Sequence, residues 1–349
     1  MPVNNSKPNP AHHTKRGFKN NYTASVEKPL GELLRWQWQR MRAGVPKPPK
    51  RPTPRQAVDL EFLQKNAAAG TLMKPCATWI GHSTVLMQAS GLTVVTDPVF
   101  SERASPFKFA GPQRAQSPAI PIEALPPLSA VVISHNHYDH LDRASVVTLA
   151  RRQPELPFLV PLGLAAWFKS EGIERVTELD WWQSTRIGPV DFTLTPTQHW
   201  SGRFINDRSR TLWGAWAALA PDFHWYFGGD SGYSPDFVDT ARFFESHQSE
   251  NDGGGFDLAM IAVGAYEPRW FMREQHVEPS ESVQIHKDLK AKRSLAIHWG
   301  TFSLTDESLD EPVLALERSL ALRDVPEDQF RTLAIGETWA LPARVVRAT

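Results

Sequence analysis

Cysteine is almost absent: Cys76 stands alone in 349 residues. No internal disulfide framework can form, which fits a reducing compartment. Clusters of several thiolates are excluded as well, so a transition metal here would be held by imidazole and carboxylate. Long apolar runs are also missing. Stretches such as 258–265 fall far short of the roughly 20 residues needed to cross a bilayer. The opening residues, MPVNNSKPNPAHHTKR, are polar and contain no apolar segment of the secretory type. Neither a signal peptide nor a transmembrane helix is expected. The expected location is cytoplasmic, or peripheral at the inner face of a membrane. No internal repeat is evident, and net charge is zero.

That zero conceals an asymmetry. Residues 1–55 hold 12 Lys/Arg against two acids, Glu27 and Glu32, a balance of +10, and the remainder carries −10. A basic arm on an acidic body suits an anionic partner such as a membrane or a nucleic acid; a solvated tail is the plain alternative. Residues 1–22, rich in Asn, Pro, Lys and His, read as disordered. The segment LGELLRWQWQRMRA (30–43) reads as a short amphipathic helix, with Leu30, Leu33, Leu34, Trp38 and Met41 at helical spacing. A semi-extended Pro/basic linker, VPKPPKRPTPR (45–55), follows.

Residues 56–349 read as one domain. Hydrophobic residues at 41% and charged residues at 22% are ordinary for a soluble globular chain, which leaves enough apolar surface for one large core. Strands are expected at 76–80, 84–89, 92–96, 130–134, 158–162, 191–197, 211–220, 223–229, 258–264, 294–300 and 331–335. Helices are expected near 142–152, 234–247, 279–290 and 310–323. Grouped strands with interspersed helices imply an α/β (α+β) domain with two packed sheets and helices outside.

The segment Ser134-His135-Asn136-His137-Tyr138-Asp139-His140 carries the chemistry. It follows a β-rich run and precedes a helix. Four ligand-type side chains fall within six residues, where a strand turns into a helix. In extended backbone His135 and His137 face one way, and Asp139 and His140 come where the chain turns. With twelve His in 349 residues, three in one such hexamer do not read as chance. Further candidates follow later strands: His199, Asp230 and His298. Alone, each reads as an ordinary strand-end residue. Together they complete a set for two divalent ions, with His135, His137 and His199 on one, Asp139, His140 and His298 on the other, and Asp230 between. Zn²⁺ suits these ligands, and Fe or Mn also fits.

These residues resemble the metallo-β-lactamase superfamily. Within it, TWIGHSTVLM, TDPVFSERASP, GPQRAQSP, TPTQHW, GDSGY, IAVGAYEPRWFM, QHVEP and AIHWGTF resemble the N-acyl-phosphatidylethanolamine-hydrolysing phospholipases D, from about Thr78 to Phe302. The resemblance implies a four-layer αβ/βα sandwich of two mixed sheets with helices outside. It implies hydrolysis of a glycerophospholipid phosphodiester on the side that releases an N-acylethanolamine. The basic arm adds an expected peripheral membrane association; no nucleic-acid partner is expected, and a homodimer is compatible. Asp139 and His276 are its catalytic candidates, His276 as the group assisting the leaving alkoxide. His82 and Asp97 are expected to orient metal ligands. Lys108 and Phe109 stand where mammalian members carry Gln-Tyr in a region associated with lipid binding. With Tyr266, Trp270, Phe271 and Gln275 they are the candidate substrate contacts. Gly229-Asp230-Ser231-Gly232 looks like a serine-protease nucleophile segment, but no matching His and Asp signatures accompany it. The competing functions are hydrolysis of a small phosphorylated or lactone substrate on the same fold, and a nuclease using the basic arm.

Overall fold

The computed structural model describes residues 10–23, 26, 28–204, 206–248 and 254–344. Its first sheet is built from β1 (Cys76–Gly81), β2 (Thr84–Ala89), β3 (Leu92–Thr96), β4 (Ala130–Val132), β5 (Phe158–Pro161), β6 (Val176–Leu179) and the last strand, β14 (Thr338–Ala340). Their order is β14-β1-β2-β3-β4-β5-β6. The second sheet takes β7 (Ser184–Ile187), β8 (Val190–Thr195), β9 (Ala215–Leu219), β10 (His224–Phe227), β11 (Leu258–Ala262), β12 (Ser294–Ile297) and β13 (Phe330–Arg331), in the order β13-β12-β11-β10-β9-β8-β7. Each sheet is antiparallel over one half and parallel over the other.

Period-two alternation sorts the side chains between layers. Val94, Ala130, Val132 and Leu159 face the space between the sheets, with Trp79, Phe192, Trp216 and Phe227. Their neighbours Val95, Val131, Ile133, Phe158 and Val160 face outward. There they meet Leu63 of α2 (Leu60–Ala67), Val146 and Leu149 of α3 (Arg143–Arg152), and Phe168 of α4 (Ala165–Ser170). On the other side, α5 (Asp236–Phe243), α7 (Pro279–Asp288) and α8 (Glu311–Leu322) cover the second sheet through Phe237, Val283, Leu316 and Leu320. Burying both faces of both sheets yields the four-layer sandwich.

The expected strands and helices recur with trimmed ends. The stretch 211–220 pairs only over Ala215–Leu219, and 331–335 only over Phe330–Arg331. β6, β7, α2, α4, the short α6 (Arg269–Met272) and β14 were not expected.

The amino-terminal arm departs most from expectation. Residues 10–22 are docked, not disordered; residues 1–9 lie outside the described residues. His12 and His13 clasp Asp180, each Nε2 lying 2.7 Å from a different carboxylate oxygen. The linker is pinned too, because Thr53 Oγ1 donates to the Gly300 carbonyl at 2.7 Å and Arg55 bridges to Ile335. The helix α1 (Leu30–Ala43) has the expected bounds. It docks through Trp36, whose ring lies 4.8 Å from Phe271 and whose Nε1 donates to Asp306 at 3.0 Å. The apolar residues that suggested amphipathicity face away: Leu34 is 61% exposed, Trp38 54% and Met41 76%.

Candidate metal centre

Within each sheet several strands run the same way, and the ends of β1, β3, β4, β8, β10 and β12 open on one edge. His82 follows β1, Asp97 follows β3, and the His135–His140 segment begins three residues after β4. His199, Asp230 and His298 follow β8, β10 and β12. Glycine makes this convergence possible. Gly229, at φ +56°, precedes Asp230, and a Cβ there would lie 2.5 Å from the Ser134 Cβ. Gly264 packs equally close, since a Cβ on it would lie 2.2 Å from the His298 carbonyl oxygen. Side chains at these two positions would push the strand ends apart.

Two groups of candidate ligands result. In the first, His135 Nε2 lies 2.8 Å from His137 Nδ1, and His199 Nε2 lies 3.3 Å from the same atom. In the second, Asp139 Oδ2 lies 3.3 Å from His298 Nε2, 3.5 Å from His140 Nε2 and 3.1 Å from His82 Nε2. Asp230 Oδ2 sits between the groups, 3.1 Å from His140, 3.2 Å from His298, and 3.9 Å from both His135 and His199. His276 Nδ1 approaches the same oxygen at 3.8 Å.

Protein contacts on the far side of each ring set its tautomer. His135 Nδ1 donates to Ser134 Oγ at 2.8 Å, His140 Nδ1 to Asp97 at 2.6 Å, and His199 Nδ1 to the Gln275 carbonyl at 2.8 Å. Each bond turns Nε2 toward the centre, where it presents a lone pair whenever the ring is neutral. Burial depresses His135 and pushes His137 and His199 down to about 3, so these three imidazoles are neutral and ready to ligate. Burial also opposes protonation of His298, yet the Asp230 charge and the contacts with Asp139 lift it to about 9. His140 is raised in the same way, against its burial, by Asp230 and Asp139. Burial would raise the carboxyls of Asp139 and Asp230; the facing His140 outweighs it and holds both well below the usual range.

The donor set fits divalent cations. His140 Nε2, His298 Nε2 and Asp230 Oδ1 are buried without a hydrogen-bond partner. Such groups cost about 1–3 kcal/mol each when left unsatisfied. Neutral nitrogens crowded within 3.3 Å gain from an ion among them, and at Asp139 and Asp230 a cation would take the place of the protons on His140 and His298.

A model of the "Beta-lactamase superfamily domain" matches residues 93–299. The chain belongs to the metallo-β-lactamase superfamily. It is a metal-dependent hydrolase of that superfamily. The N-acyl-phosphatidylethanolamine-hydrolyzing phospholipase D 1 of Caenorhabditis elegans is 40% identical over 274 residues, which cover 75% of each chain. A mitochondrial enzyme of the same description from Saccharomyces cerevisiae is 34% identical over 248 residues, 69% of this chain and 50% of that one. Among solved structures, isothiocyanate hydrolase from Delia radicum gut bacteria matches 76% of this chain and 99% of its own, with a TM-score of 0.60 and 18% identity. That last likeness is one of superfamily fold.

The substrate-side residues fare differently from the ligands. Phe271 is buried under Trp36, and Gln275 is buried beside His199. Gln275 instead orients the site: its carbonyl takes His199 Nδ1–H, and its Oε1 takes the Trp200 indole N–H at 2.7 Å. Tyr266 is buried. Trp270 is exposed, with the Arg35 guanidinium 4.9 Å from its ring. Lys108 and Phe109 lie on an exposed loop, where the Phe109 ring lies 5.6 Å from that of Phe107. Ser231 Oγ donates to the Gly232 carbonyl and accepts from Gln198 N–H, so it braces the loop. His82 reaches further in than expected, since its Nε2 touches Asp139 directly. Sequence reasoning missed Asn20, Ser134 and Gln275 as partners of ligand residues. Ser134 was findable as the neighbour of His135; the other two lie 179 and 76 residues from His199 and leave no local signal.

Proposed function

We propose that the protein is a dinuclear phosphodiesterase of the phospholipase D type, releasing N-acylethanolamine and phosphatidic acid from N-acyl-phosphatidylethanolamine. The observation that carries this reading is the 40% identity with the C. elegans enzyme across three quarters of both chains. His135, His137 and His199 would hold one ion, Asp139, His140 and His298 the other, and Asp230 would serve both. Zn²⁺ is the proposed metal; Fe or Mn suits the same ligands. Ions bound there lower the pKa of water and offset the charge that builds on a phosphodiester.

His276 is the proposed catalytic residue for the leaving alkoxide. Burial holds it at about 3, so it is neutral at rest. An anionic phosphate beside Nδ1 would raise the ring's proton affinity, so that the ring would take a proton from water and pass it to the leaving alkoxide. A membrane is the proposed partner, met through the free apolar face of α1 and its Arg35 and Arg42. Among the described residues no helix is long and apolar enough to cross a bilayer.

A panel of phospholipids incubated with metal-replete protein tests the reading. N-acylethanolamine and phosphatidic acid are expected from N-acyl-phosphatidylethanolamine. Turnover of a soluble phosphodiester or lactone without any lipid turnover would replace it with the small-molecule reading.

A further inference from the structure

His199 lies four residues beyond the end of β8, where the sheet no longer pairs its backbone. Its neighbour Gln198 is held on one side, since its N–H donates to Ser231 Oγ at 3.0 Å and its carbonyl takes the Gly232 N–H at 2.8 Å. In an extended segment the next residue presents its polar groups to the opposite side. There the buried side chain of Asn20 meets both. Asn20 Nδ2 donates to the His199 carbonyl at 2.9 Å, and Asn20 Oδ1 accepts the His199 N–H at 3.0 Å. The amide stands where a neighbouring strand's peptide would, and Trp213 Nε1–H, 3.2 Å from Oδ1, fixes its orientation.

The segment that delivers Asn20 is anchored on both sides of it. His12 and His13 clasp Asp180, and the Phe18 N–H donates to the Ser209 carbonyl at 2.8 Å. Beyond Asn20, the Asn21 side chain donates to Asp236 Oδ1 at 2.7 Å. These contacts span the sheet edge, the loop carrying His199 and the start of α5.

We propose that the amino-terminal strap is part of the metal centre and that Asn20 is a positioning residue for His199. The Gln275 carbonyl sets the rotation of the imidazole; Asn20 sets the place of its Cα. The inference rests on the reading of His135, His137 and His199 as one ion's ligands. It assigns that ion, and not the one at Asp139, His140 and His298, a dependence on the strap.

The test uses the full chain and Co²⁺. Wild type, Asn20→Ala, Asn20→Asp and Asn21→Ala are titrated against a chromophoric chelator, with visible spectra recorded and amide exchange followed at His199. Misplacing an outer partner of a ligand typically costs about 10–100-fold in metal affinity. Asn20→Ala is expected to lose that much at one of two ions, change the Co²⁺ spectrum and speed exchange at His199. Asn21→Ala removes a strap contact that does not touch the ligand, and should keep both ions at wild-type affinity. Asn20→Asp keeps the acceptor but sets a carboxylate against the His199 carbonyl; it should weaken the same ion, and it answers the question if Asn20→Ala does not fold. Unchanged affinity in both Asn20 variants, or an equal loss in Asn21→Ala, overturns the proposal. Two ions in the wild type leave the metal reading standing whichever way the variants fall.

Discussion

Asp97 accepts the Nδ1–H of His140 at 2.6 Å through Oδ2, and the same carboxylate takes the Ser134 hydroxyl at 2.6 Å and the Ser134 N–H at 2.7 Å. The Ser134 oxygen in turn takes Nδ1–H of His135. One buried carboxylate therefore orients a ligand in each group, His140 directly and His135 through a serine.

Asp97→Asn should weaken both ions. The amide can still accept a bond, but it lacks the charge that makes the imidazole a stronger donor to metal. Losses of about 10–100-fold in affinity are expected. Metal content after dialysis against a graded chelator series reads this, and wild-type retention would remove Asp97 from the centre.

Asp230→Asn and His137→Ala separate the shared ligand from an unshared one. Asp230 Oδ2 approaches nitrogens of both groups, whereas the contacts of His137 are with His135 and His199. Wild type should carry close to two ions and lose activity on chelation. Asp230→Asn should depress both, and His137→Ala one. Elemental analysis decides: if Asp230→Asn keeps two ions, the carboxylate does not bridge.

The convergence of the candidate ligands was legible because they sit in short order at strand ends, where a local pattern carries the geometry. His135, His137, Asp139 and His140 share one turn; His199, Asp230 and His298 each close a β-rich run. Contacts across the chain were not legible. Asn20 lies in a polar, proline-bearing stretch whose composition reads as disorder, and its partners His199 and Trp213 lie 179 and 193 residues away. The strand β7 was missed for a related reason. It is an edge strand whose exposed Arg186 pairs with Asp191, so it lacks the apolar run that marked its neighbours. In α1 the helical spacing of the apolar residues was legible, but the anchoring role of Trp36 was not, because its partners Phe271 and Asp306 lie far along the chain.

His276→Ala should slow hydrolysis of the lipid while leaving metal content unchanged. General acid assistance contributes about 10²–10⁴-fold. A nitrophenyl phosphodiester, whose leaving group needs no proton, should lose far less. Equal losses on the two substrates would move His276 from proton transfer to substrate placement.

Cys76 offers a probe of folding. Burial pushes its thiol up to about 12 from the ordinary 9.0, against a weak opposing contact from Asn66. The fold thus favours the protonated form. The associated stability is complete below pH 9 and is lost as pH climbs from 9 toward 12. At pH 8 a thiol reagent should leave the native protein unmodified and titrate one thiol in denaturant. Rapid labelling of native protein would show that the strand opens locally.

The exposed face of α1 is the proposed membrane contact. Deleting residues 1–55 cannot test it, because the deletion removes Asn20 and the Trp36 anchor together with the face. Substituting Leu34, Trp38 and Met41 by Gln leaves both in place, since none of the three is buried. Each Lys or Arg near an anionic bilayer contributes about 1 kcal/mol, and buried apolar area adds roughly 25 cal/mol per Å². Co-sedimentation with phosphatidylserine-containing vesicles should fall in the triple variant. In the wild type it should weaken as salt rises, because the charge term is screened within about 10 Å at 0.1 M. Hydrolysis of vesicle-embedded lipid should drop in parallel, while hydrolysis of a soluble phosphodiester and the melting temperature stay unchanged. A matching drop in soluble-substrate activity would mean that this face supports the fold and not the membrane.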